Sequence, residues 1–378
     1  MRRTIVIDMR PTVVRPTGVG VAAADLTRAL VARDPESSYV LFANSRKDRF
    51  PADGWQGPNV RIVDRRIPNR ILTTLWAKAS WPPMEKLCGP CDVVHAHGPL
   101  PLPVTRARTI ATVYDLFFYH HPELTDPVAT APLVAGMKKL LPRADRIVTA
   151  SETVRGQIVA DFGIDPARVA CIPLGLRPEQ LAEADADHRH ELRKRLRLPS
   201  SFILFVGTLE PRKNAGGLIR AFAELRKQKR HDGTRLLIAG QRGFRYEASE
   251  KAIADCNITT EVRILDYLEA RDVKALISLS RMVVVPSLDE GFGLPMLEAM
   301  AQGTVVAASR RGALPEVAAD AALLFDPDDM GQFTDAMAAG LQNDTRRSEL
   351  VARGRERCKQ FTWDAAAERM LSLYAALA

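Results

Sequence analysis

Two glutamates, Glu290 and Glu298, stand eight positions apart in SLDEGFGLPMLEAMAQG, residues 287–303, with Gly291, Gly293 and Pro295 between them. The run RMVVVP before this stretch reads as a buried strand. Proline favours the first position of a helix, and Gly293 before it permits an unusual turn, so a helix is predicted to start near Pro295. Glu290 then falls in the loop before the helix, and Glu298 lies inside it. A helix N-terminus offers unpaired backbone N–H groups and the positive end of a dipole, which together make an anion site. A carboxylate repels a phosphate, so each glutamate needs another partner, and sugar hydroxyls are the obvious one. Taken alone, Glu298 would only stabilise the first helical turn and Glu290 would be a surface acid. The glycine–proline turn after a buried strand makes the ligand reading the more specific.

Other residues could also do chemistry. Arg212 and Lys213, in EPRKN, follow another apolar run and could stabilise negative charge on a leaving group. Taken alone they are an exposed basic pair. Gly18 and Gly20, in GVGVAA, match the dinucleotide pattern G-x-G-x-x-A, which would suggest a nicotinamide-dependent oxidoreductase. Two features oppose that: the glycines come late after the first strand, and YVLFANS ends without the acid that would bind an adenine ribose. The CGPC of Cys88–Cys91 copies a redox motif but precedes a strand instead of opening a helix after one. His95 and His97, in HAH, lack the acids or cysteines that would complete a metal site, and His120 and His121 read as exposed loop residues.

Short apolar runs alternate with helical periodicity along the whole chain. TIVID, YVLFA, VRIVD, DVVHAH, TIATVYD, RIVTAS and VACIPLG form one set. FILFVGT, RLLIAG, VRILDYL, RMVVVPS, TVVAAS and AALLFDP form a second. Most are continuous, as parallel strands covered on both faces should be. The charged stretch at 177–200 shows no strand signal and reads as a connection plus a solvated helix. The expectation is α/β: two doubly wound, Rossmann-like domains at 1–178 and 179–360, and a C-terminal helix at 361–378 that packs back on the first. Ligands would sit at the C-terminal ends of the strands.

A length of 378 residues favours two domains over one ordinary core. Hydrophobic residues at 46% and charged residues at 26% fit a soluble globular chain, and no apolar run is long enough to span a bilayer. The N-terminal MRRTIVID reads as a first strand, not a signal peptide. Five scattered cysteines argue for a reducing cytoplasm over a disulfide framework. The net charge of +8 is interleaved with acids, which argues against a nucleic-acid tail and suits an anionic ligand or membrane face. Residues 64–83 interleave Arg65, Arg66, Arg70 and Lys78 with Leu72, Leu75, Trp76 and Trp81. They read as an amphipathic helix, either ordinary or serving a membrane surface or an acceptor.

DEGFGLPMLEAMAQG resembles the E-x7-E signature of the retaining glycosyltransferases of family four, which have the GT-B fold of two domains facing a central cleft. FVGTLEPRKNAGGLIRAF, ADRIVTASETVRGQIVADFGIDPARVACIPLG and RPTGVGVAAADLTRAL carry the likeness over nearly the whole chain. The resemblance implies that Glu290 holds donor-sugar hydroxyls and Glu298 the nucleotide ribose. It places the backbone of Gly291, Phe292, Gly293 and Leu294 on sugar and diphosphate, and Arg212 and Lys213 on the pyrophosphate. Gly18 and Gly20 would close on the donor, and Tyr267 would lie near its base. The resemblance also puts Tyr114 and Asp115 on the donor, where relatives often carry His-Asp with the histidine touching the donor sugar, and relatives commonly carry an arginine where this chain has Thr208. The implied reaction moves a hexose from a nucleotide-diphosphate sugar to a glycan or lipid-linked acceptor, forms an α-linkage and needs no metal or other cofactor. GDP-mannose is the first expectation for the donor, with UDP-glucose or a dTDP-sugar behind it. The enzyme would be cytoplasmic, with peripheral contact to an anionic membrane and no nucleic-acid partner. A nucleotide-sugar-binding protein without transferase activity is the alternative.

Overall fold

The computed structural model describes residues 2–13, 18–55, 57–100, 102–229, 233–342 and 344–377. The chain divides into two compact units: Met1–Tyr119, Pro127–Gly175 and Thr362–Ala378 form one, and His120–Asp126 with Leu176–Phe361 form the other. The expected division at 178/179 therefore falls at Gly175/Leu176, and a short segment after Tyr119 belongs with the second unit.

The first unit is built on β1 (Thr4–Asp8), β2 (Ser38–Asn44), β3 (Val60–Arg65), β4 (Val93–Ala96), β5 (Arg108–Val113), β6 (Arg146–Thr149) and β7 (Val169–Cys171). Their order is β3-β2-β1-β4-β5-β6-β7, and every pairing is parallel, with Ile7 beside both Leu41 and His95. The second unit carries β8 (Phe202–Val206), β9 (Arg235–Ala239), β10 (Val262–Leu265), β11 (Met282–Val285), β12 (Val305–Ser309) and β13 (Leu323–Phe325), ordered β10-β9-β8-β11-β12-β13. These pairings too are parallel. The continuous apolar runs of the sequence are these strands; the inner ones are buried on both faces, while β3, β7 and β10 at the sheet edges are only partly buried. In each sheet the winding reverses at one point, between β1 and β4 and between β8 and β11. Such a reversal leaves a crevice beyond the strand ends, where doubly wound folds bind ligands.

Six helices matter below: α1 (Gly18–Arg33), α2 (Asn69–Ala79), α3 (Ala215–Lys227), α4 (Ala270–Leu279), α5 (Leu294–Ala301) and α6 (Trp363–Ala375). Although last in the chain, α6 belongs to the first unit. Its Ala366, Ala367, Met370 and Tyr374 share a core with Leu26 and Leu30 of α1. On α2, Leu72 and Trp76 are buried, one turn apart on one face, while Ile71 next to them is exposed.

The stretch 177–200 contains helices Pro178–Leu181 and Ala186–Arg195. The second is not solvated all round, as its charge density suggested. His188 and Leu192, four residues apart, are buried, and His188 Nε2 lies 2.8 Å from Asp272 of α4. Charge outnumbers apolar residues here, yet one buried stripe suffices to dock a helix.

Candidate functional site

Beyond β8 the chain makes a 3-10 turn, Pro211–Lys213, and Asn214 then caps α3 with its side-chain oxygen on the Gly217 amide at 3.1 Å. Beyond β11 it runs through Pro286–Glu290 towards α5. Since β8 and β11 are neighbours, the two loops meet at the reversal point of the sheet. They are joined twice: the Leu288 amide donates to the Arg212 carbonyl at 2.8 Å, and Asn214 Nδ2 donates to the Pro286 carbonyl at 3.1 Å.

This joint brings Arg212, Lys213 and Glu290 together. Arg212 Nη1 donates to Glu290 Oε2 at 2.9 Å, while Lys213 Nζ and, at 2.7 Å, Ser287 Oγ donate to Oε1. Burial alone would raise the Glu290 carboxyl, but the charges of Lys213 and Arg212, with the hydrogen bonds of Lys213 and Ser287, overcome it and hold the group at about 2. Glu290 is therefore ionised at any physiological pH. A carboxylate has about four lone-pair sites, and the three bonds here leave room for a sugar hydroxyl. Arg212 also reaches Glu210 Oε1 at 3.2 Å from Nε, a partner that sequence reasoning did not single out. Thr208 is exposed beside this turn.

Gly293 caps α5 with φ +101, a left-handed conformation that a side chain would strain, and Leu294 opens the helix one residue ahead of Pro295. The Phe292 side chain faces inward, edge-on to Phe361 at 5.5 Å between centroids, so only its backbone can face a ligand. Gly312 was also missed. A Cβ there would lie 2.5 Å from the Glu290 carbonyl oxygen and 2.6 Å from its nitrogen, so glycine lets this loop press against the Glu290 backbone. The Ala313 amide completes the contact, donating to the Glu290 carbonyl at 2.8 Å.

Glu298 takes a different place. Gln180 Nε2 donates to its Oε1 at 2.5 Å, and it lines a cavity of about 330 Å³ with Arg177, Ala270, Val273, Lys274 and Ile277. Ala270, Val273 and Ile277 fall at helical spacing on α4, the one sequence signal for this wall. Lys274 Nζ is held at its rim by the Glu179 carbonyl at 2.5 Å. Tyr267, just beyond β10, is 56% exposed and not among the cavity's lining residues.

In the first unit, Asp8, His97 and Tyr114 lie at or just past the ends of β1, β4 and β5, at that sheet's reversal point. Arg10 grips Asp8 through Nε and Nη2, both at 2.7 Å. His97 Nδ1 lies 2.9 Å from Tyr114 Oη. His95 is buried, with Nδ1 2.7 Å from Tyr374 Oη of α6 and Nε2 2.7 Å from Thr112 Oγ1. Asp115 accepts from the Phe117 amide at 3.3 Å. Gly18 and Gly20 open α1, and residues 15–17 of the glycine motif lie outside the described residues. Where a dinucleotide fold would carry a ribose-binding acid, β2 ends in Asn44, whose amide is bonded to Ile67 and Asn69.

Burial pushes the Cys88 and Cys91 thiols up to about 12, the opposite of an activated thiolate. Among the described residues, no group of three or more His, Cys, Asp or Glu is placed to hold a metal ion, and no helix is long and apolar enough to cross a membrane.

Residues 16–180 match the family Glycosyltransferase Family 4, and residues 188–357 match Glycosyl transferases group 1. The O-antigen chain mannosyltransferase B of Escherichia coli is 30% identical over 95% of this chain and 96% of its own. Among solved structures, a sucrose-phosphate synthase from Thermosynechococcus elongatus superposes with a TM-score of 0.80 at 22% identity, covering 100% of this chain and 99% of that one. The HepE protein of Anabaena, in complex with UDP and glucose, superposes at 0.73 with 16% identity, covering 99% and 100%.

Proposed function

This chain belongs to the family-4 glycosyltransferases, with the GT-B fold, and we propose that it is a retaining mannosyltransferase using GDP-mannose. The acceptor is a glycan or a lipid-linked sugar, and the product an α-linkage. The observation that carries this reading is the joint of Arg212, Lys213 and Glu290 beside the N-terminus of α5. The bond from sugar to diphosphate leaves negative charge on the phosphate as it breaks. Two cations fixed by one buried carboxylate, with the Leu294 amide at the start of α5, are already in place for such charge and need not reorganise; Pro295 has no N–H, and the Met296 amide is spent on the Gly293 carbonyl at 3.0 Å. No side chain at the joint is suited to be a covalent nucleophile, because Glu290 is committed to its cations. The resemblance to the retaining enzymes of the family then favours attack by the acceptor hydroxyl on the face of the leaving group, with a donor phosphate oxygen taking its proton. Glu290 meets hydroxyls of the sugar and Glu298 those of the ribose, which gives the cavity on α4 to the base. The choice of mannose rests on the resemblance to mannosyltransferases.

A panel of GDP-mannose, UDP-glucose and dTDP-rhamnose, read by release of the nucleoside diphosphate, tests the reading. GDP-mannose should be turned over fastest, with a rate unchanged by EDTA. Binding that raises the melting temperature without turnover would favour a nucleotide-sugar-binding protein, and a rate abolished by EDTA would contradict the metal-free reaction.

The exposed Ile71 and Trp81, 53% and 50% accessible among basic residues of 64–83, support contact with an anionic membrane. Co-sedimentation with vesicles containing anionic lipid, lost in Ile71→Glu/Trp81→Glu, is the expected result. Equal sedimentation of both proteins would remove this surface from the proposal.

A further inference from the structure

Two carboxylates hold Arg212, and they hold it differently. Its Nη1 donates to Glu290, whose side chain is 8% accessible and is also bonded by Lys213 and Ser287. Its Nε and Nη2 share one oxygen of Glu210, at 3.2 and 3.1 Å, and the Glu210 side chain is 29% accessible. Among the described residues, Arg212 is the one side chain bonded to the Glu210 carboxylate.

The charges at the joint cancel, Arg212 and Lys213 against Glu210 and Glu290. A joint without net charge draws a diphosphate weakly, so one carboxylate must give way. Glu290 is the harder to move, because parting it from its cations would strand buried charge. The half-exposed pair with Glu210 is weak and opens into water. The backbone there need not shift. The Leu209 amide donates to the Gln241 carbonyl at 2.8 Å, the Gly243 amide to the Leu209 carbonyl at 3.0 Å and the Lys213 amide to the Glu210 carbonyl at 3.0 Å. Rotation of the Glu210 side chain is enough, and Arg212 stays in place on Glu290. The Nε–Nη2 edge of a guanidinium matches two oxygens of a phosphate, a better fit than one shared carboxylate oxygen. We propose that Glu210 is a positioning residue that stands in for the donor's diphosphate: it holds the Nε–Nη2 edge of Arg212, yields it when the donor binds, and recaptures it as the nucleoside diphosphate leaves. The inference rests on reading the joint as a diphosphate site.

Calorimetric titration with GDP tests it. Binding to the wild type includes the work of parting Arg212 from Glu210, and Glu210→Gln reduces that work. The variant should bind GDP about three- to tenfold more tightly. Guanosine, which has no phosphate, should bind both proteins alike, a contrast that damage to the turn would not produce. The gain must act through Arg212, so in an Arg212→Met background Glu210→Gln should change GDP affinity less than twofold. A gain of full size there would mean that Glu210 only repels the phosphate, and would overturn the inference. If Arg212→Met fails to fold, Glu210→Asp takes its place. Aspartate keeps the charge but falls one methylene short of the guanidinium, so it should tighten GDP binding, and an unchanged affinity would overturn the inference. Equal GDP affinities of wild type and Glu210→Gln, or an equal gain for guanosine, would overturn it while leaving the diphosphate site standing. If GDP does not bind, UDP and dTDP are titrated instead, beside their nucleosides. Binding of none of the three to either protein would overturn the diphosphate site itself and the inference with it.

Discussion

Replacing Lys213 by alanine is expected to lower donor turnover by on the order of 10²–10³, the usual cost of removing one charge-stabilising contact from a preorganised site. The effect should fall on kcat more than on KM, because the phosphate gains charge only as the sugar departs. The fold should survive. Without Lys213, Glu290 still has Arg212 at 2.9 Å and the Ser287 hydroxyl at 2.7 Å, so no buried charge is stranded. Arg212→Ala is a less clean experiment, since Arg212 also holds Glu210 and its carbonyl anchors Leu288. Rates of nucleoside-diphosphate release beside urea unfolding curves make the check. A folded Lys213→Ala protein with a near-normal rate would take this cation out of the reaction.

The strands were legible because burial on both faces writes itself locally, as runs such as FILFV and MVVV that need no partner to be recognised. The turn before α5 was legible for the same reason, since glycine and proline carry their backbone preferences with them. What joins Arg212 and Lys213 to Glu290 is not local. The residues lie 77 and 78 positions apart, and they meet because β11 takes the place beside β8 after the winding reverses. Strand order comes from packing of the whole sheet, so the sequence showed two motifs and not their contact. His97 and Tyr114 are 17 positions apart on neighbouring strands, so the resemblance drew attention to Tyr114 while its contact with His97 stayed hidden. The cavity beside Glu298 was hidden differently. Its apolar wall on α4 has the periodicity of any core-facing helix, and only the position of Arg177–Gln180 leaves part of that face open.

The second large effect concerns Glu290, where stability and turnover should respond together. Glu290→Gln keeps the shape and a hydrogen-bonding group but removes the charge. Lys213 and Arg212, both mostly buried, then lose the carboxylate between them, which should cost about 3–5 kcal/mol at neutral pH. The loss must depend on pH in a definite direction. The carboxyl titrates at about 2 in the folded chain, below its ordinary 4.5. A depressed acid gives its full stabilisation above the ordinary value and loses it as pH falls toward the folded one. The interval corresponds to about 3 kcal/mol, of which about 2 should be gone by pH 3. Glutamine cannot titrate, so the stability gap between wild type and variant should narrow by about that amount between pH 7 and pH 3. Urea unfolding at both values measures it. A gap of the same size at both would mean that the carboxylate is not what holds the two cations. Turnover separates the two duties of the residue. A loss of 10²–10³ in Glu290→Ala with much of the rate kept in Glu290→Gln would assign it to the sugar hydroxyls. Equal losses would assign it to the charge that sets Arg212 and Lys213 against the diphosphate.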